Sequence, residues 1–128
     1  MTPQVLYLIA CAAGPTQRDV LPKAEAMLVA PLSCTSLNKW ANGIADTLAI
    51  GLVSEGVNMG VPVLAMPYFN QAQGRQPAVP RSVADLRAQN VKYLDGPAGY
   101  ELHPPKQGAP AAFPWERALR ALEEVVSG

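Results

Sequence analysis

The chain has 128 residues, with ten lysines and arginines against ten aspartates and glutamates and no formal net charge. That length suits one domain over residues 1–128 with one core, and the charge balance offers no electrostatic footing for nucleic acid. No apolar run approaches a membrane span, since Val5 to Ala13 and Val61 to Met66 are strand-sized.

The elements follow in chain order. Val5 to Ala10 is continuously apolar, as a strand of a parallel sheet covered on both faces requires, and Ala13 to Gln17 forms a loop. Leu21 to Ala26 leads into a second strand, Met27 to Ala30, which Pro31 stops because proline cannot donate to a ladder. Leu37, Trp40, Ala41, Ile44, Ala45, Leu48 and Leu52 then recur at three- and four-residue steps, which predicts one amphipathic helix ending near Gly56 or Gly60. Val61 to Met66 is a third strand. Pro80 opens the next helix, with Val83 and Leu86 inward, and Val91 to Leu94 is a short last strand.

Beyond Leu94 the composition shifts. Residues 95–112 carry turn chemistry and several prolines and read as irregular surface. A terminal helix over 114–127 follows, with Trp115, Leu119, Leu122 and Val126 on one face and Glu116 favourably placed for the dipole. Alternating strands and helices predict an α/β fold, an open parallel sheet with right-handed crossovers. The N-terminus has no basic segment before its apolar run, so a secretory signal is not expected. Two cysteines, Cys11 and Cys34, make no disulfide framework and fit a reducing cytoplasm.

Ser33, Thr35 and Ser36 offer hydroxyls where the first helical amides lack partners. Such a strand-to-helix junction either merely caps the helix or receives an anion such as phosphate. Cys34 is either a thiol activated by the helix terminus or a small buried residue, and the tight turn favours the second. Asn42 and Asp46, four apart, either face a ligand or a neighbouring subunit or bond within the domain. His103, the single histidine, stands beside two prolines without metal-ligand neighbours, so it reads as a solvated or locally bonded surface group without a role.

Pro31-Leu32-Ser33-Cys34-Thr35-Ser36, followed by Leu37, Lys39, Asn42 to Asp46 and Leu48, resembles the Pro-Ala-Ser-Ala-Asn-Thr hallmark of the homo-oligomeric flavin-containing cysteine decarboxylase superfamily. Pro67-Tyr68-Phe69-Asn70-Gln71-Ala72-Gln73-Gly74 resembles its second hallmark, Pro-x-Met-Asn-x-x-Met-Trp. The resemblance runs from about Leu21 to Leu94 and is most similar to a bacterial flavoprotein branch. It implies a Rossmann-like fold with helices on both faces, FMN as cofactor, a small-molecule substrate and a trimer-based homo-oligomer, with the helix of Trp40 and Ile44 at an interface.

By the same resemblance Ser33, Thr35 and Ser36 face the flavin or its phosphate chain, Gly14 and Thr16 assist from the first loop, and Asn70 lies over the ring or substrate side. The pattern is also incomplete. Two strand-helix units, at roughly 30 residues each, are missing between the first strand and the first hallmark, where only Pro15 to Ala26 stands, and with them the family's histidine. Thr35 replaces an asparagine, and Phe69, Gln73 and Gly74 replace the Met, Met and Trp that clamp a cysteine-bearing substrate. The expectation is therefore an FMN-binding protein without the family's decarboxylase activity. The alternative is a flavin-free, catalytically silent oligomerisation or interaction module, or a truncated remnant.

Overall fold

The computed structural model describes residues 8–13 and 24–127. Four strands form one sheet in the order β1 (Leu8–Ala13), β2 (Ala24–Leu32), β3 (Val63–Pro67) and β4 (Lys92–Tyr93). The strands β2, β3 and β4 are parallel, with Val29 opposite Ala65 and Ala65 opposite Tyr93. Helices cover both faces, so the fold is the expected α/β, Rossmann-like arrangement.

The first strand departs from the parallel expectation. It runs antiparallel to β2, with Leu8 opposite Ala30 and Ala13 opposite Ala24. Parallel neighbours need a crossover of a dozen or more residues, usually a helix, and the chain between Ala13 and Ala24 is too short for one. The start of the expected strand, Val5 to Tyr7, lies outside the described residues, as do Gly14 and Thr16.

Alternation along the strands sorts the core into two layers. Val29, Val63 and Ala65 face α1 (Cys34–Ala41), α2 (Leu48–Asn58) and α4 (Ala78–Ala88), packing with Leu37, Trp40, Val53 and Leu86. Leu28, Ala30, Leu64 and Met66 face α5 (Trp115–Ser127), meeting Phe113 and Ala118. The inward face of α5 carries Ala118, Ala121, Leu122 and Val125, while Leu119 and Val126 are exposed. The predicted stripe is thus rotated, because the small Ala118 lets the helix lie close against the sheet.

The single long helix predicted after Pro31 is two helices. Asn42 caps α1, Gly43 takes φ +76°, and the amides of Gly43 and Ile44 bond back to the carbonyls of Trp40 and Lys39. This is a Schellman ending, for which a glycine is suited because it has no Cβ to clash in the left-handed region. Thr47 then restarts the chain as N-cap of α2, its hydroxyl accepting from the Ile50 amide. The break turns Ile44 and Leu48 outward, off the single apolar helix face that the spacing predicts. A second Schellman ending closes α2 at Gly60, where Val61 bonds to Gly56.

Candidate functional site

The carboxyl edge of the parallel strands brings the two sequence motifs together. Leu32, the last residue of β2, pairs with Pro67, the last of β3, and the Tyr68 amide bonds to the Leu32 carbonyl at 2.9 Å. Ser33 to Ser36 and Tyr68 to Gly74 therefore leave adjacent strand ends. Open α/β sheets bind ligands at this edge.

Ser33 is the N-cap of α1, its hydroxyl accepting from the Ser36 amide at 3.1 Å. The capping reading is thus correct for Ser33. Ser33 and Thr35 are exposed and Ser36 is half-buried. The Cys34 and Thr35 amides precede the helical ladder and still point out of the helix end. Hydroxyls and free amides at a helix dipole's positive end suit the oxygen-rich ribityl and phosphate parts of FMN, so this donor set fits the cofactor.

Cys34 is buried, its sulfur 3.7 Å from Gln76 Oε1, and burial pushes the thiol pKa up. Burial thus works against thiolate formation, in line with the packing reading. Asn38, one turn on, accepts from the buried Ser82 hydroxyl at 2.6 Å, which ties α1 to α4. Asn42 Nδ2 bonds the Asn38 carbonyl, and Asp46 pairs with Lys39 at 2.7 Å, whose ammonium holds its carboxyl below the usual range. Both therefore bond locally. Trp40 lies in the core and is unavailable to a partner, whereas Ile44 is exposed.

In the second motif Asn70 is the N-cap of the short helix α3 (Gln71–Gly74). Its side chain accepts from the Gln73 amide at 2.8 Å while Gln73 Oε1 accepts from the Asn70 amide at 3.1 Å. This reciprocal capping box accounts for glutamine at 73. Phe69 is buried in the core. Gly74 is a notch: a Cβ there would overlap Leu102 Cδ1, so Leu102 fills the position.

The segment after β4 reaches this edge, which the sequence reading missed. His103 forms a parallel bridge with Asn70, and its carbonyl accepts from the Gln71 amide at 2.7 Å. A groove of ≈ 1020 Å³ is lined by Pro67, Phe69, Gly74 and Leu102, by α4 and by Tyr93 and Asp95. Arg87 also lines it, bonded to Asp95 at 3.0 Å and lying over the Tyr93 ring. His103 is half-buried, with Nδ1 2.7 Å from the Tyr100 hydroxyl, which is the locally bonded form of the surface-group reading. The signal for this contact was the aromatic run Tyr68, Tyr100 and Phe113, whose rings pack together.

Three parallel strands between helix layers, with hydroxyl and amide donors at their carboxyl edge, define a Rossmann-like α/β fold. The chain belongs to the Flavoprotein family, whose model matches residues 15–126. It is similar to a phosphopantothenoylcysteine decarboxylase of Mus musculus, 38% identical over 70 residues that make up 55% of this chain and 34% of the relative. Among solved structures it is similar to TvaF, an FMN-dependent cysteine decarboxylase from thioviridamide biosynthesis, at 25% identity and a TM-score of 0.58 over 82% of this chain and 52% of that one. It also shares the fold of the FMN-binding protein AtHal3, at 19% identity and a TM-score of 0.62 over 82% of this chain and 56% of that one. The chain spans about a third of the curated relative and about half of these structures. No helix among the described residues is long and apolar enough to cross a membrane.

Proposed function

We propose that this chain is an FMN-binding flavoprotein related to the cysteine decarboxylases, acting as one flavoprotein-like unit in the cytoplasm. The observation that carries the reading is the pairing of Leu32 with Pro67, which sets both motifs at neighbouring strand ends. Ser33, Thr35 and Ser36, with the Cys34 and Thr35 amides, hold the phosphate and ribityl side. Gly14 and Thr16 contribute from the first loop, and Asn70 borders the ring or substrate side. When bound, FMN supplies a two-electron acceptor. The chain's own contribution is neutral donors, which bind and orient without adding charge.

The same reading has the chain turn over neither cysteine-terminated peptides nor phosphopantothenoylcysteine. Gln73 is committed to the Asn70 cap, and Leu102 fills the Gly74 notch, so neither position offers a clamp to a substrate. Purified protein should be yellow and should release FMN on denaturation, identified by mass and by a phosphate assay. Carbon dioxide release from either substrate should stay at background. Colourless protein that takes up no added FMN would overturn the cofactor assignment, and turnover would overturn the second part.

One observation favours the other reading, a flavin-free interaction module. Leu48 is 79% and Met59 65% exposed at the two ends of α2. Exposed apolar groups of this size suit an interface between copies, and a trimer-based homo-oligomer accommodates both readings. Light scattering that finds a stable monomer at micromolar concentration would exclude the assembly, and colour separates the two readings.

A further inference from the structure

We infer that the groove between α4 and residues 95–102 binds a small organic cation, an apolar body carrying one ammonium group. The groove shares Phe69 and Gly74 with the second motif, but the inference does not rest on the proposed flavin contacts.

The sequence leaves the space and the fold holds it open. Ala84 and Ala88 stand one turn apart on α4, both exposed and both lining the groove, so along that line the helix offers only methyl groups. The opposite wall is pinned and does not close over them. Leu102 occupies the Gly74 notch, Gln71 Nε2 donates to the Leu102 carbonyl at 3.2 Å, and the Gln71 amide donates to the His103 carbonyl at 2.7 Å. Higher in the same wall Arg117 of α5 donates to the Gly99 carbonyl at 2.9 Å, and the Tyr100 amide donates to the Leu94 carbonyl at 3.2 Å. A cavity of ≈ 1020 Å³ between walls fixed in this way accommodates a small molecule and costs little ordering to fill.

The floor decides one half of the ligand. Pro67, Phe69, Val79 and Tyr93 are buried and line it, with Val83 and Leu102 half-buried beside them. Such a surface gains from an aromatic or branched hydrocarbon body.

Charge decides the other half. Arg87, Asp95 and Glu101 line the groove. Arg87 is engaged within the protein: it bonds Asp95 Oδ1 at 3.0 Å, reaches the Tyr93 carbonyl at 3.4 Å and lies 5.5 Å from the centre of the Tyr93 ring. Glu101 has no cationic partner among the described residues, so the groove is left with one uncompensated negative charge. Asp95 forms a bridge with Tyr100, the residue before Glu101, which brings both carboxylates to one wall. Asp95 Oδ2 and the Glu101 oxygens accept from no donor among the described residues. An ammonium brings three donors and the matching charge, whereas an anion would meet repulsion.

The test titrates the full chain as purified, its flavin content recorded, with 2-phenylethylamine, a cation at neutral pH. Parallel titrations use 2-phenylethanol and 3-phenylpropanoate, which keep the ring and change the charge. In 1H–15N spectra the backbone amides of Ala84, Gly96 and Leu102 should shift saturably with the amine. The amine should bind about fivefold tighter than the alcohol, as one ion pair between partly exposed groups allows, and the propanoate weaker than the alcohol. Glu101→Gln should bring the amine down to the level of the alcohol and leave the alcohol unchanged. Ala84→Phe puts a ring into the groove from an exposed position and should weaken amine and alcohol at least tenfold at an unchanged melting temperature. Should Ala84→Phe fail to fold, Glu101→Gln alone carries the test.

No saturable shift at tens of millimolar amine, shifts centred away from the groove, or propanoate binding as tightly as the amine would each overturn the inference. So would an amine preference that survives Glu101→Gln, or wild-type affinity in a folded Ala84→Phe. None of these readouts uses the flavin, so their failure is distinguishable from failure of FMN to bind, which is read by colour.

Discussion

Removing the Asn38 side chain should destabilise the fold more than removing the hydroxyl it accepts from. Ser82 is 2% exposed and donates to Asn38 Oδ1 at 2.6 Å, whereas Asn38 is half-buried. Asn38→Ala strands a buried hydroxyl and also removes the amide that reaches Gln76 Oε1 at 3.4 Å. An unsatisfied buried donor costs about 1–3 kcal/mol. Ser82→Ala instead frees an amide oxygen that water can reach, for roughly 0.5–1 kcal/mol. Both changes gain helix propensity of similar size, about 0.5 kcal/mol, which leaves the ordering intact. In the double variant the stranded hydroxyl is gone, so it should be less destabilised than the sum of the singles by about 1 kcal/mol. Urea unfolding followed by Trp40 and Trp115 fluorescence, with unchanged m, measures the cycle. Each kcal/mol moves the melting temperature by roughly 4 °C for a chain of this length. An additive cycle, or Ser82→Ala the more damaging single change, would refute the reasoning.

Ser33→Asp should lose FMN while keeping its melting temperature, because aspartate caps α1 as well as serine but sets a carboxylate against the phosphate; flavin absorbance per chain is the measure. Burial raises the Tyr93 pKa in the folded state, so its contribution is complete below pH ~10, the unfolded value, and is lost progressively as pH rises beyond it. Unfolding free energies across the alkaline range should fall less steeply in Tyr93→Phe. Thr47→Ala removes the N-cap of α2 and should cost about 1 kcal/mol in the same urea assay.

The strands were legible because a continuous apolar run bounded by proline or glycine has few other fates. Val61 to Met66 became β3 (Val63–Pro67), and Met27 to Ala30 fell inside β2. Strand direction was not legible, since apolar runs look alike either way and loop length had to decide it. The long helix misled because Ile44, Ala45 and Leu48 kept helical spacing across a turn that Gly43 imposes. The C-cap signal at Asn42-Gly43 was present in the sequence but was outweighed by periodicity.

The first motif was placed correctly at the strand-to-helix junction, while the meaning of Gly74 was not. Its partner Leu102 is remote in sequence, and only the folded chain shows one side chain standing in the space beside another's missing one. His103 was obscured for the same reason. Its nearby prolines suggest solvent, but Asn70 and Tyr68 come to it from the far side of α4 in the chain.

The division of the core into two layers also orders events during synthesis. The layer of Leu28, Ala30, Leu64 and Met66 is covered from one direction by α5, which follows every strand in the chain. At ~5–20 residues per second, the roughly 34 residues from Tyr93 to Ser127 take about 2–7 s to be added. For that interval a nascent sheet already holding its parallel strands presents an uncovered apolar surface, the species that chaperones recognise and that aggregates when crowded. Slowing translation between residues 94 and 114 should therefore lower soluble yield without changing the stability of the protein that does fold.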